Sequence, residues 1–216
     1  MTEHNFEHMR RAMVASQLRT TGVNEPGVLA AMGAVPRERF VPDAYVSAAY
    51  ADLLIPLGNG RSLNSPMALG RMLSEAKLQG SEHVLVIGAA TGYAAAVVAR
   101  LAGSTIALEE QPELAAIARR ELSDFGVEVV EGPLNQGWTG GAPFDFILID
   151  GAVEDVPQAI VDQVSDGGEI SAALLDRGVP RLSVGRVIGG SFGWGSFSDV
   201  ASPVLPGFLK PRGFSF

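Results

Sequence analysis

Cysteine is missing altogether from the 216 residues, and histidine occurs only three times. The first absence excludes a disulfide scaffold, a zinc site built on thiolates and a thiol nucleophile. The second leaves little material for imidazole base catalysis. Positive charge is scarce as well: 16 Lys and Arg face 24 Asp and Glu, a net charge of −8. That balance speaks against a general nucleic-acid binder, because neutralising phosphates needs a basic surface. Long hydrophobic runs are lacking too. The most apolar stretch, 84–99, is interrupted by Gly88, Thr91 and Gly92 and falls short of a membrane span. The opening MTEHNFEHMRRAM has no apolar core of a secretory signal. The expectation is a soluble, cytoplasmic protein without a membrane partner. What is present, 47% apolar against 19% charged residues, suffices for a sizeable core, and the length suits one domain of roughly 100–200 residues.

Charge is unevenly spread. Residues 109–166 hold thirteen acids and two bases, whereas 177–216 hold five bases and one acid. Either the acids form a solvated helix face, or they make an acidic mouth that favours a cationic ligand.

Periodicity supplies the organisation. Phe6, Met9, Met13, Val14 and Leu18 fall at helical spacing. Asn24 and Pro26 suit the cap and first turn of a second helix through Ala34, and Ser65-Pro66 suits the start of a third running to about Leu78. A short extended piece is expected at 53–57, before the turn Gly58-Asn59-Gly60. From His83 the pattern changes. Strand-like runs at 84–87, 105–108, 127–131, 144–149 and 169–174 alternate with helical stretches at 92–102, 112–125 and 156–164, the pattern of a doubly wound α/β sheet. Residues 185–195, rich in glycine and aromatics, suit a hairpin closing the sheet edge or a surface that meets a partner. Three segments of one globular domain are expected: N-terminal helices and loop at 1–80, a core at 81–175 and closing strands at 176–216.

Doubly wound sheets bind ligands beyond the carboxyl ends of their strands, so the residues after each strand carry the functional reading. Gly88-Ala89-Ala90-Thr91-Gly92-Tyr93 follows the first strand, where a glycine turn either brings a ligand to the backbone and the helix N-terminus or simply permits tight packing. Glu109 ends the second strand, 21 residues after Gly88. A carboxylate there can accept both hydroxyl hydrogens of a ribose. There is no G-K-[ST] for a triphosphate and no second glycine for a pyrophosphate, so an adenosine cofactor without phosphates fits better. S-adenosylmethionine is such a ligand, and it is cationic. His4 and His8 share helical spacing but lack the companions of a metal site, and no metal is expected. His83 is read as structural. Asp150, at the end of the fourth strand, is read as the cap of a following helix or turn, with a role toward a metal or an acceptor amine as the alternative.

Taken together, MVASQLRTTGV at 13–23, VLAAMGAVPRERFVP at 28–42, AYADLLIPLGNG at 49–60, VLVIGAATGY at 84–93 and APFDFI at 142–147 resemble the protein-L-isoaspartate O-methyltransferase family in order and spacing. The resemblance implies a Rossmann-like class I methyltransferase fold. Its sheet would be doubly wound, mostly parallel and seven-stranded, with an N-terminal helical extension. The implied cofactor is S-adenosylmethionine, and the implied substrate is the carboxylate of an L-isoaspartyl or D-aspartyl residue in damaged proteins or peptides. Such a carboxylate, with a pKa of about 4, is ionised at neutral pH and needs no general base. A histidine-poor site is then no objection. The implied site residues are Ser62 and Asn64 against the substrate carboxylate. Gly88, Ala90, Gly92, Tyr93 and Glu109, with Gly132, Pro133 and Leu134 beside the adenine, lie against the cofactor.

Three of these positions depart from the family pattern. Asn64 stands where a loop reading G-Q-T-I-S-x-P has serine, Ala90 stands at the last-but-two position of G-x-G-S-G, and Pro133 replaces the acid of G-D-G. They motivate a second reading, a paralogue that keeps the fold and acts as an interaction or regulatory protein. Asp150 motivates a third, a small-molecule methyltransferase.

Overall fold

The computed structural model of the protein describes residues 5–209. Two helices open the chain. Helix α1, Phe6–Ala12, is capped by the Asn5 side chain and runs on through a wider π-helical stretch, Met13–Leu18. Pro26 sets the backbone for α2, Pro26–Ala34, but the cap residue is Glu25, not Asn24 as expected. Strands β1, Ile55–Gly58, and β2, Arg61–Leu63, form an antiparallel hairpin around the glycine turn. Ser65 accepts from the Ala68 N–H and starts α3, Pro66–Ala76, which stops two residues early because Lys77 turns left-handed.

Seven further strands make one sheet: β3 (His83–Ile87), β4 (Ser104–Glu109), β5 (Glu128–Glu131), β6 (Phe144–Val153), β7 (Val164–Asp176), β8 (Val179–Ile188) and β9 (Ser191–Asp199). Their order is β5-β4-β3-β6-β7-β8-β9, parallel through β7 and antiparallel for the last two pairs. Residues 185–195 therefore lie in a hairpin at the sheet edge. Connecting helices are α4 (Tyr93–Val98), α5 (Pro112–Glu121) and a single turn, α6 (Gln158–Val161). All three are shorter than the periodicity suggests. In α6 the cause is visible: Gln163 folds back to donate to the carbonyls of Ala159 and Gln136 and to accept from the Trp138 N–H, closing the helix before β7.

The central strand is buried on both faces, which is why its sequence is continuously apolar. Val84 and Val86 point into the core shared with α2, α3 and α4, and Leu85 and Ile87 into the core shared with Ile147, Ile149 and Ile160. The chain leaves β3 toward β4 on one side and returns to β6 on the other. The switch point of the sheet is thus the crevice between the carboxyl ends of β3 and β6. His83 has its ring stacked on Phe144, with Nδ1 at 2.6 Å from Ser104 Oγ and Nε2 at 2.9 Å from the Gly141 carbonyl, a structural role as expected. His4 lies outside the described residues. No helix among the described residues is long and apolar enough to cross a membrane.

Candidate functional site

Three turns, after β3, β5 and β2, carry the residues expected in the site. After β3, Gly88 and Gly92 both have positive φ, 79° and 105°, and so does Ala90, at 52°. The left-handed region costs a residue with a β-carbon roughly 1–2 kcal/mol. Ala90 is held there by its N–H, which donates to Glu109 Oε2 at 2.7 Å. After β5, Gly132 donates to the Glu109 carbonyl at 3.2 Å, and Pro133 continues the chain with neither a carboxylate nor an N–H. Leu134 is buried in the core. After β2 comes the loop of Ser62, half-buried, and Asn64, buried.

Glu109 lies at the expected place, at the end of β4 and fully buried. Its carboxylate is already engaged. Arg61, buried as well, donates from Nη1 to Oε1 and from Nη2 to Oε2, the latter at 2.9 Å. The N–H groups of Glu110 and Gln111 each donate to Oε1 at 3.0 Å. Five N–H groups thus meet an acceptor with about four lone-pair sites, and nothing remains for the hydroxyls of a ribose.

Of the two loop residues, Asn64 is engaged too. Asn64 Nδ2 donates to Asp150 Oδ1 at 3.0 Å, and Asn64 Oδ1 accepts from the Ser65 N–H and from Ser202 Oγ. Asp150 therefore caps no helix, in correction of the expectation. It sits within β6, where burial pushes its carboxyl above the ordinary value, against the opposing pull of the Asn64 amide and the Arg37 and Arg61 guanidiniums. Arg37 is buried and fixes the loop from beneath. It donates to the carbonyls of Ala49 and Asn64, both at 2.8 Å, and its Cζ stands 4.5 Å from the ring centroid of Tyr93. Tyr93, expected on the cofactor, turns its ring to Arg37 and Phe40 instead, and burial pushes its phenol up.

The last described segment closes the crevice. Ala152 donates to the Pro203 carbonyl at 2.7 Å and Leu205 donates to the Ala152 carbonyl at 2.9 Å, so 203–205 runs beside β6. The Leu205 side chain enters the turn: a β-carbon on Gly88 would stand 3.0 Å from Leu205 Cδ1 and 3.5 Å from Arg61 Nη2, and one on Gly151 would stand 2.5 Å from Leu205 Cγ. A cavity of about 240 Å³ remains beside Arg61, Gln111 and Leu205, below the roughly 300–1,000 Å³ of typical ligand pockets. As folded, these residues do not fit S-adenosylmethionine. The ribose acceptor is saturated and the glycine turn is filled.

Sequence reasoning missed Arg61, Arg37 and Leu205. For Arg61 a signal existed, because it occupies the glutamine position of the G-Q-T-I-S-x-P loop. Arg37 and Leu205 carry no local signal.

Comparison with known proteins gives a consistent picture. The family model described as protein-L-isoaspartate(D-aspartate) O-methyltransferase matches residues 9–176. A protein-L-isoaspartate O-methyltransferase 2 of Anaeromyxobacter sp. (strain Fw109-5) is 41% identical over 167 residues, covering 76% of this chain and 69% of the relative. A solved protein-L-isoaspartate O-methyltransferase superposes with a TM-score of 0.81 at 22% identity, covering 93% of this chain and 67% of that one. A Plasmodium falciparum structure described under the same activity, in complex with S-adenosyl-L-homocysteine, gives 0.75 at 16% identity, with 94% and 99% covered. At those identities the two structures speak for the fold. It is the Rossmann-like class I methyltransferase fold.

Proposed function

This chain belongs to the protein-L-isoaspartate(D-aspartate) O-methyltransferase family, and on that premise we propose that it methylates the carboxylate of L-isoaspartyl or D-aspartyl residues in damaged proteins of the cytoplasm. The family's methyl donor is S-adenosylmethionine. The observation that carries the reading is the loop of Ser62 and Asn64, fixed by Arg37 and tied through Asn64 to Asp150 beside the switch point. Ser62 and Asn64 are proposed to hold the substrate carboxylate, which is ionised at neutral pH and brings its own electron pair. The protein's task is alignment, a positioning effect. Gly88, Ala90, Gly92 and Glu109, with Gly132, Pro133 and Leu134 beside them, form the cofactor side of the same reading, filled in this conformation by Arg61 and Leu205.

Transfer of a tritiated methyl group to an isoaspartyl peptide is the direct assay. Label in the peptide, absent with the matching aspartyl peptide, is expected; no label while a family enzyme works alongside would remove the enzymatic reading. The Arg61–Glu109 pair favours a second reading, a family member that acts by interaction with other proteins.

A further inference from the structure

Glu109 and Gly88 are the two features of the crevice that a nucleoside would need, and each is met by a residue of the chain itself. Arg61 presents two N–H donors to the two oxygens of Glu109, as two ribose hydroxyls would. Leu205 brings an apolar group against Gly88 and Gly151, across the two strand ends that flank the switch point. We propose that residues 202–208 are an internal ligand, a strap that together with Arg61 occupies the crevice and has to leave before a nucleoside can enter.

The way the strap is held supports displacement. Its buried members are Ser202, Pro203, Leu205 and Phe208, while Val204, Pro206 and Gly207 face solvent. It pairs with β6 through only the two backbone bonds at Ala152, and farther along Asn135 Nδ2 donates to the Gly207 carbonyl at 3.0 Å. Ser202 reaches Asn64 at 3.4 Å, a long bond. Arg61 is under-bonded in the same place, since its buried Nε has no partner among the described residues. A buried donor left without a partner disfavours the state that contains it. A closed state of this kind lowers apparent affinity by the fraction of molecules that are open, without altering the open site.

The inference rests on the methyl-transfer reading, which supplies the displacing nucleoside. The test uses the full chain and S-adenosylhomocysteine as probe. Calorimetric titration compares the wild type with the double variant Arg61→Gln, Leu205→Gly, and with Ile188→Ala as an exposed control outside the strap. The double variant is expected to bind at least tenfold tighter than the wild type, and the control like the wild type. Hydrogen exchange supplies the second readout. At saturating probe the amides of Leu205 and Ala152 in the wild type are expected to exchange faster, whereas a ligand bound elsewhere in a closed molecule would leave them unchanged or slower. Equal affinity of the wild type and a folded double variant, or binding without faster exchange at these amides, would overturn the strap while leaving the methyl-transfer reading in place. Binding by neither chain would overturn both. If the double variant does not fold, the exchange measurement on the wild type decides.

Discussion

Asp150 shows how one side chain ties the site to stability. Desolvation holds its carboxyl above the ordinary value, although Asn64, Arg37 and Arg61 oppose the shift. A group that binds its proton more tightly folded than unfolded contributes stability that is complete below the unfolded pKa of about 4, and loses it as the pH rises through the folded value. Relative to Asp150→Asn, the wild type is therefore expected to lose stability upward from about pH 4 and then level off. Urea unfolding of both proteins at a series of pH values measures this. A difference independent of pH would contradict the burial argument. Arg37 belongs to the same scale: the carbonyls of Ala49 and Asn64 have it as a shared donor, so a surface-like pattern of two arginines in VPRERFVP conceals one buried residue. Hydrophobicity alone could not tell Arg37 from Arg39, which pairs with Glu121 in partial exposure.

Among the elements, those fixed by local rules were legible. Pro26 and Ser65-Pro66 begin helices where their backbone preferences dictate, and the apolar run at 84–87 reads as a strand, which the structure buries on both faces. Elements whose ends depend on distant partners were not. Strand β6 runs four residues past Ile149 because β7 and the 203–205 segment pair with it, and the periodicity of 156–164 could not reveal that Gln163 turns back on its own helix. The candidate site divides the same way. Glu109 was placed by its distance from Gly88, whereas its pairing with Arg61, 48 residues away, is a tertiary fact. The turn between β3 and α4 allows a further test. Gly92 has φ 105°, and a β-carbon there would stand 2.9 Å from both Cγ and Cδ1 of Leu122. Gly92→Ala combines backbone strain with overpacking and is expected to cost about 1–3 kcal/mol in chemical unfolding; a neutral result would mean that Leu122 yields freely.

At the scale of the whole molecule, burial falls away from the centre. Strands β3 and β6 are covered on both sides, while β9 alternates between exposed and half-buried residues and shares only one edge. Local opening draws on the least buried parts. Native-state hydrogen exchange is expected to find the amides of Val84 to Ile87 and Phe146 to Ile149 exchanging only with global unfolding. Those around Ile188 and Ser191 should open at far lower free energy. Equal protection of hairpin and centre would mean that the molecule opens as a single unit. The ion pairs at the surface, such as Arg119–Glu131 and Arg181–Asp199, add little to this gradient, since exposed pairs are each worth about 0–1 kcal/mol.

The filling of the crevice is drawn from both sides of the sheet in the chain. Arg61 precedes every strand of the seven-stranded sheet, and Leu205 follows the last of them. They meet at Gly88 only when the strands between them are in place, and contacts between residues so distant in sequence are the slow ones to form.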